Sequence, residues 1–306
     1  MIGQVVRNIA PIMCMSFECL DGRSQMKIRR RKFLKIVAGT GIGAIVTGCT
    51  EDSRKPTEGT VLRQLGRTNL QLTPLGYGAQ HTRDSELIRY AIDQGINYIE
   101  TAWGYGFGKP GNSCESIGKA ISGVRDHVHL FVAYMGKAPR TSKAWVDSQF
   151  EQTLRDLATD YIDVFLWHQP ESIEEITKGD HIDLMQKFKS EGKIRWCGIT
   201  AHENQEVYLK HLAESSLYDV AVVAFNSNSS AGVTQSIKEA AQKGVGIIAM
   251  KTQSPNYNVP PHTIGDAPDH RKALSWVLSK DYVVGAIPGM TTKEQVDMNV
   301  EVMKNL

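Results

Sequence analysis

From residue 60 onward the chain alternates between two hydrophobic periods. Short apolar runs bounded by turn residues cover 75–78, 98–102, 130–135, 162–168, 194–200, 220–226, 246–251 and 283–287. Between them apolar residues recur every three to four positions, near 84–94, 113–122, 145–158, 181–190, 204–214, 234–243, 270–279 and 292–305, as in helices with one buried face. Ser113 ahead of Glu115 and Thr292 ahead of Glu294 read as helix starts. Runs such as VFLW, VAVVAF and GIIAM lack polar alternation, as parallel strands covered on both faces do. Eight strand–helix units in about 250 residues match a closed barrel. An open doubly wound sheet would carry a glycine fingerprint after its first strand, and LGYGAQHT is not one. The expected fold is therefore a (β/α)8 TIM barrel with an N-terminal β-hairpin, in which VLRQLG and LQLTPLG flank RTN.

The first sixty residues follow another pattern. RRRKFLK at 29–35 precedes the glycine-rich apolar stretch IVAGTGIGAIVTGCT, the order of an export signal. The apolar run at 36–48 is thirteen residues, too short to span a bilayer. Arg30-Arg31 with Lys32-Phe33-Leu34-Lys35 resembles a twin-arginine (Tat) signal, and Val46-Thr47-Gly48-Cys49 resembles a lipobox. The expected organisation is an N-terminal extension and signal over 1–48, a polar tether over 49–60, and the barrel over 61–306. Expected partners are the Tat export machinery and, through a lipidated Cys49, a membrane; the expected location is periplasmic or cell-envelope. Met26, just before the basic block, is an alternative start.

Composition adds little: 306 residues, 41% hydrophobic and 22% charged, suit one large globular core. The net charge of +2 comes from the N-terminus. Eight of 35 basic and two of 33 acidic residues fall in 1–48, which leaves the body at −4. That balance gives no nucleic-acid footprint. Of five cysteines, Cys14 and Cys19 precede the signal and Cys49 is the candidate anchor. Cys114 and Cys197 remain, without metal-ligand spacing, and no metal is expected.

In such barrels the chemistry lies at the C-terminal ends of the strands. Glu100 and His168 are at or near such ends, and Tyr105 follows one in a glycine-rich loop. Singly, a strand-end glutamate is a solvated group, a loop tyrosine a packing group and a rim histidine a satisfied one; three on one rim form a candidate site.

AIDQGINYIETAWGYG, SCESIGKAI, DYIDVFLWH, IRWCGIT and AIPGMTTKEQVDMN together resemble the aldo-keto reductases, in order and over roughly residues 61–305. The resemblance implies NAD(P)H-dependent reduction of a small carbonyl (aldehyde, ketone or sugar-like) by an Asp, Tyr, Lys and His tetrad. Tyr105 matches the proton donor, His168 the carbonyl-orienting histidine, and Glu100 stands in place of Asp. The lysine position, in LFVAYMGK, is Met135, so the tetrad is incomplete. Losing one partner of a buried pair costs roughly 3–5 kcal/mol. Lys137 is the preferred substitute, with Lys251, hydration or protonation of Glu100 as alternatives.

On the cofactor side the resemblance implies NADP, with NAD possible. Gly289, Met290, Thr291 and Thr292 form a helix start suited to an anion. Asn299 matches an adenine contact, Gln295 stands where the family often has a phosphate-binding Arg, and Lys293 is its stand-in. Thr200 and Asn226 match nicotinamide contacts, a family glutamine is replaced by Val222, and Lys251 and Gln253 are candidates for the pyrophosphate. Trp103, Phe107, Tyr134 and Trp167 are candidates for a pocket wall or for barrel packing. The alternative function is a catalytically degenerate barrel lipoprotein that binds a ligand or assists assembly.

Overall fold

The computed structural model describes residues 61–106, 112–134, 143–253 and 269–306. The signal, the tether, Phe107, Met135 and Lys137 lie outside the described residues, as does the 48/49 boundary. The chain opens with an antiparallel hairpin of β1 (Arg63–Gln64) and β2 (Gln71–Leu72).

Eight parallel strands follow in one sheet: β3 (Tyr77–Gly78), β4 (Tyr98–Ala102), β5 (His129–Tyr134), β6 (Ile162–His168), β7 (Ile194–Ala201), β8 (Val220–Ala224), β9 (Gly246–Met250) and β10 (Gly285–Ala286). Each pairs with its sequence neighbour. The edges close through parallel bridges Leu75–Ala286 and Gly78–Gly289, with Gly76 N–H donating to Ala286 O at 2.8 Å and Ala286 N–H to Pro74 O at 2.9 Å. The expected (β/α)8 barrel and its hairpin are both present. The helices are α1 (Ser85–Asp93), α2 (Ser113–Ala120), α3 (Lys143–Asp156), α4 (Ile173–Thr177), α5 (Asp180–Ser190), α6 (Gln205–Glu214), α7 (Ala231–Gln242), α8 (His270–Leu278) and α9 (Lys293–Lys304). The short α4 has no counterpart in the sequence reading, because one turn gives no periodic signal. Thr292 caps α9 as expected. The cap of α2 is Asn112, one residue before the expected Ser113. Ser113 is buried instead, where its hydroxyl accepts from Thr101 at 2.8 Å and donates to Ala79 O at 3.2 Å.

Strand alternation divides the core in two. Tyr98, Ala102, Phe131, Ala133, Val164, Leu166, Val220, Val222, Ala224, Ile248 and Met250 fill the barrel, with hairpin residues Leu65, Leu70 and Leu72. The opposite parity packs against the helices. The hairpin lies at the strands' N-terminal end, since Arg67 N–H donates to Gly244 O at 2.7 Å, just before β9. Each of its fully buried leucines stabilises by roughly 1.5–3 kcal/mol. Inside, the Tyr98 ring needs two glycines. A Cβ on Gly76 would drive into the ring, 2.7 Å from Cδ2 and nearer to its edge, and one on Gly285 would meet the Tyr98 hydroxyl. That hydroxyl donates to Ala286 O at 3.2 Å.

At the N-terminal rim, fully buried Asp163 accepts from Arg195 Nη1 at 2.9 Å, Arg125 Nη2 at 3.1 Å and Leu130 N–H at 2.9 Å. Three donors and two cations offset the cost of burying that carboxylate. The knot ties β5, β6 and β7 at the end away from the candidate chemistry. Among the described residues, no helix is long and apolar enough to cross a membrane.

Candidate active site

Glu100 shares the inward parity of Tyr98 and Ala102, so its carboxyl enters the barrel near the C-terminal end of β4. It is 7% exposed. Burial pushes its pKa up to about 7, and the Lys251 ammonium acts in the other direction. Among the described residues, the charge acting on Glu100 comes from the end of β9; Lys137, the preferred substitute from sequence, lies outside them. Lys251 follows Met250 with φ +55°, a left-handed conformation that a lysine rarely adopts. Asn226 Nδ2, from the end of β8, donates to Lys251 O at 3.1 Å. Burial lowers the Lys251 pKa, and Glu100 raises it. Three of the four non-glycine residues with positive φ among those described, Gln169, Asn204 and Lys251, lie at or just beyond the ends of β6, β7 and β9. Backbone strain of this kind clusters where side chains are being aimed.

Tyr105 sits in a turn after β4, its N–H donating to Ala102 O at 3.1 Å and its carbonyl accepting from Ser113 N–H at 3.1 Å. Its ring packs on the barrel interior. Burial first and the Glu100 carboxylate second hold its pKa well above 10, opposed by the Arg83 guanidinium. The phenol is protonated at neutral pH.

His168 ends β6 with the inward parity of Val164 and Leu166. Its Nδ1 is 3.0 Å from Thr200 Oγ1. That hydroxyl already accepts from Gln169 N–H at 3.2 Å, so its own proton is available for Nδ1. This arrangement leaves the ring proton on Nε2. Burial, then Lys251, drops the His168 pKa to about 4, so the ring is neutral. A second imidazole, His202, lies 6.2 Å away centroid to centroid, its pKa also dropped to about 4 by burial, Lys251 and His168. His202 escaped the sequence reading, although its parity with Thr200 on β7 was visible.

Arg83 also escaped it. Arg83 lies in the loop between β3 and α1, where Nη1 donates to Ala79 O and Gln80 O, each at 3.3 Å, and to Thr82 O at 2.5 Å. The rest of its guanidinium lies against Gly106. A Cβ there would come within 2.7 Å of Nη2 and 2.9 Å of Cζ, and closer still to Nε. With φ +79°, this residue needs to be glycine both for its conformation and for the cation beside it. A basic residue in the first strand–helix loop was the available sequence signal.

The remaining sequence candidates divide. Asn226 has inward parity at the end of β8, and Val222 is wholly inside the barrel. Thr252, next to Lys251, is 2% exposed, and its hydroxyl has no partner among the described residues. Gln253 Nε2 donates to Asn299 Oδ1 at 3.0 Å and to His270 O at 3.3 Å, which engages both side chains at the junction of β9 with α8 and α9. Gln295 folds back, its Oε1 accepting from Thr291 N–H at 2.7 Å while its own N–H donates to Thr292 Oγ1 at 3.3 Å. Lys293 lies over the Tyr90 ring, 5.1 Å from its centroid. Gly289 borders His81. The Met290 side chain belongs to the core, with its carbonyl accepting from Tyr77 OH at 2.7 Å, so only its backbone can meet a ligand. Tyr134 and Trp167 also resolve as packing. They lie in the strand–helix layer, with Tyr134 OH donating to Val146 O at 3.0 Å, and Trp103 stacks on Tyr134 from the edge of that layer. Among the described residues no group of side chains is arranged to hold a metal ion.

The chain matches the model of the Aldo/keto reductase family over residues 74–253. It is 35% identical over 138 residues to aldo-keto reductase YhdN of Bacillus subtilis, covering 40% of this chain and 38% of that one. It is 23% identical over 253 residues to methylglyoxal reductase DkgB of Escherichia coli O157:H7, covering 76% and 87%. Among solved structures, the aldo-keto reductase of Klebsiella pneumoniae in complex with NADPH superposes with a TM-score of 0.63 at 22% identity, covering 80% and 89%. The first curated relatives are matched over less than half of their length, 38%, 43% and 48%.

Proposed function

The chain belongs to the aldo/keto reductase family, and from that premise we propose that it reduces a small carbonyl compound with a nicotinamide dinucleotide, NADPH ahead of NADH. The reading is carried by the grouping of a protonated phenol, a neutral imidazole and a buried carboxyl at the C-terminal ends of β4 and β6. The chain's own residues fit the dinucleotide. Thr252 offers a buried hydroxyl with no partner among the described residues, the capped start of α9 suits an anion, and Lys293 is exposed beside it.

When bound, the dinucleotide supplies the hydride. His168, held by Thr200, presents Nε2–H to the carbonyl oxygen and orients it. Tyr105 gives its proton to that oxygen as the carbon is reduced, general acid catalysis by a group in its protonated form at neutral pH. The Glu100 carboxyl acts on the phenol, and Lys251 acts on that carboxyl. One relative matched over most of both chains is named a methylglyoxal reductase, and a short-chain aldehyde is the first substrate class to try.

The test is titration of the purified protein with NADPH and NADH, followed by an aldehyde panel. Saturable dinucleotide binding with aldehyde-dependent oxidation of NADPH is expected; failure to bind either dinucleotide would sink the reading. We further propose that the protein is exported through the twin-arginine route and anchored by lipid at Cys49, on the motif order Arg30-Arg31, apolar run, Cys49. Lipid labelling that survives Cys49→Ala would exclude that anchor.

A further inference from the structure

A proton-donating phenol becomes a phenolate as it acts, and a buried phenolate beside a carboxyl needs a cation. The lysine that the family resemblance implies is Met135 here. Lys251 acts on Glu100, His168 and His202. Among the described residues, the cation that acts on Tyr105 is Arg83.

We propose that Arg83 is the positioning cation of this site, its guanidinium held against Gly106 to stabilise the Tyr105 phenolate formed in carbonyl reduction. The inference rests on the reductase reading above. The geometry supports it on two counts and the chemistry of the group on a third. Nη1 is anchored by the carbonyls of Ala79, Gln80 and Thr82, so the side chain is fixed in place. Nε and Nη2 turn toward Gly106, the neighbour of Tyr105, and only a missing side chain there lets them approach. A guanidinium also keeps its charge at every working pH, unlike a buried lysine.

The step balances without another reactant. The carbonyl carbon gains the hydride of the reduced nicotinamide, which is oxidised. The carbonyl oxygen gains the Tyr105 proton, and the phenolate then recovers a proton from solvent. Among the described residues, few groups face this pair. Tyr105 meets Glu100 from β4 and Arg83 from the loop before α1. Arg83 in turn faces the Cys114 thiol of α2, which burial pushes up to about 12 and so keeps neutral.

The test replaces Tyr105 with a fluorinated tyrosine of lower intrinsic pKa in the purified full chain and follows its ionisation by 19F NMR, without substrate. Arg83→Gln should move that titration up by at least about one pH unit, as loss of a neighbouring positive charge does. Arg83→Lys should recover most of the shift. In turnover, Arg83→Gln should lower kcat at least about tenfold, the rate equivalent of one pH unit, with KM for the dinucleotide within about twofold. A titration unmoved in Arg83→Gln overturns the proposal, as does a shift that Arg83→Lys fails to recover. Should the wild-type protein bind no dinucleotide, the reductase reading falls and the role with it, while the 19F shift still stands as a separate result.

Discussion

Glu100 and His168 project from β4 and β6 toward the same end of the barrel, and burial acts on their protons with opposite signs. It lifts the carboxyl from 4.5 to about 7 and drops the imidazole from 6.5 to about 4. Between pH 4.5 and 7 native Glu100 holds a proton that the unfolded chain has released, so stability falls as pH rises through that window. The span corresponds to roughly 3 kcal/mol at one pKa unit per about 1.4 kcal/mol. Urea unfolding of Glu100→Gln should therefore match wild type below pH 4.5 and exceed it by up to about 3 kcal/mol above pH 7. Equal stability at pH 8 would refute the burial account. His168 and His202 work the other way. Between about 4 and 6.5 the unfolded imidazoles bind protons that the native ones refuse, and stability is lost as pH falls. The positions of Tyr105, His168 and Glu100 near one barrel end were legible because a barrel strand's end fixes which way its residues point. As a partner of Glu100, Lys251 was legible only as an alternative, because its left-handed backbone is not encoded by periodicity, and Arg83 was missed because its position depends on a loop's course.

Most elements were legible because each carries a long enough period, and the departures have local causes. The run expected at 283–287 contributes only Gly285–Ala286 to the sheet. The helix expected near 234–243 starts earlier, at Ala231, because Ser230 caps it through Val233 N–H. Trp103, Tyr134 and Trp167 were open between pocket and packing until parity placed the last two in the strand–helix layer. At this scale the seam between β3 and β10 is the exacting part, since the Tyr98 ring fits only between Gly76 and Gly285. Gly76→Ala should cost about 1–3 kcal/mol by overpacking, and less in a Tyr98→Leu background, where the ring is gone. Thermal unfolding of the double-mutant cycle measures that coupling; additive losses would contradict the fit.

As a whole, the molecule separates stability from candidate chemistry along the barrel axis. The Asp163 knot and the hairpin leucines close the N-terminal end, while Glu100, His168, Thr200 and Asn226 point to the other. That division follows from the fold, because strand ends at the C-terminal face are free to vary once the opposite rim is tied. The barrel was recoverable from the eightfold alternation of apolar runs. At the start of α9 Lys293 and Gln295 sit as read, but the Gln295 side-chain oxygen is engaged by the N–H and hydroxyl of Thr291. The most direct measurement is a single turnover of bound NADPH with excess aldehyde, comparing wild type with Tyr105→Phe. The account predicts a rate lower by about 10²-fold or more in the variant, the scale of a lost general acid, with NADPH affinity unchanged. Equal rates in the two proteins would contradict it.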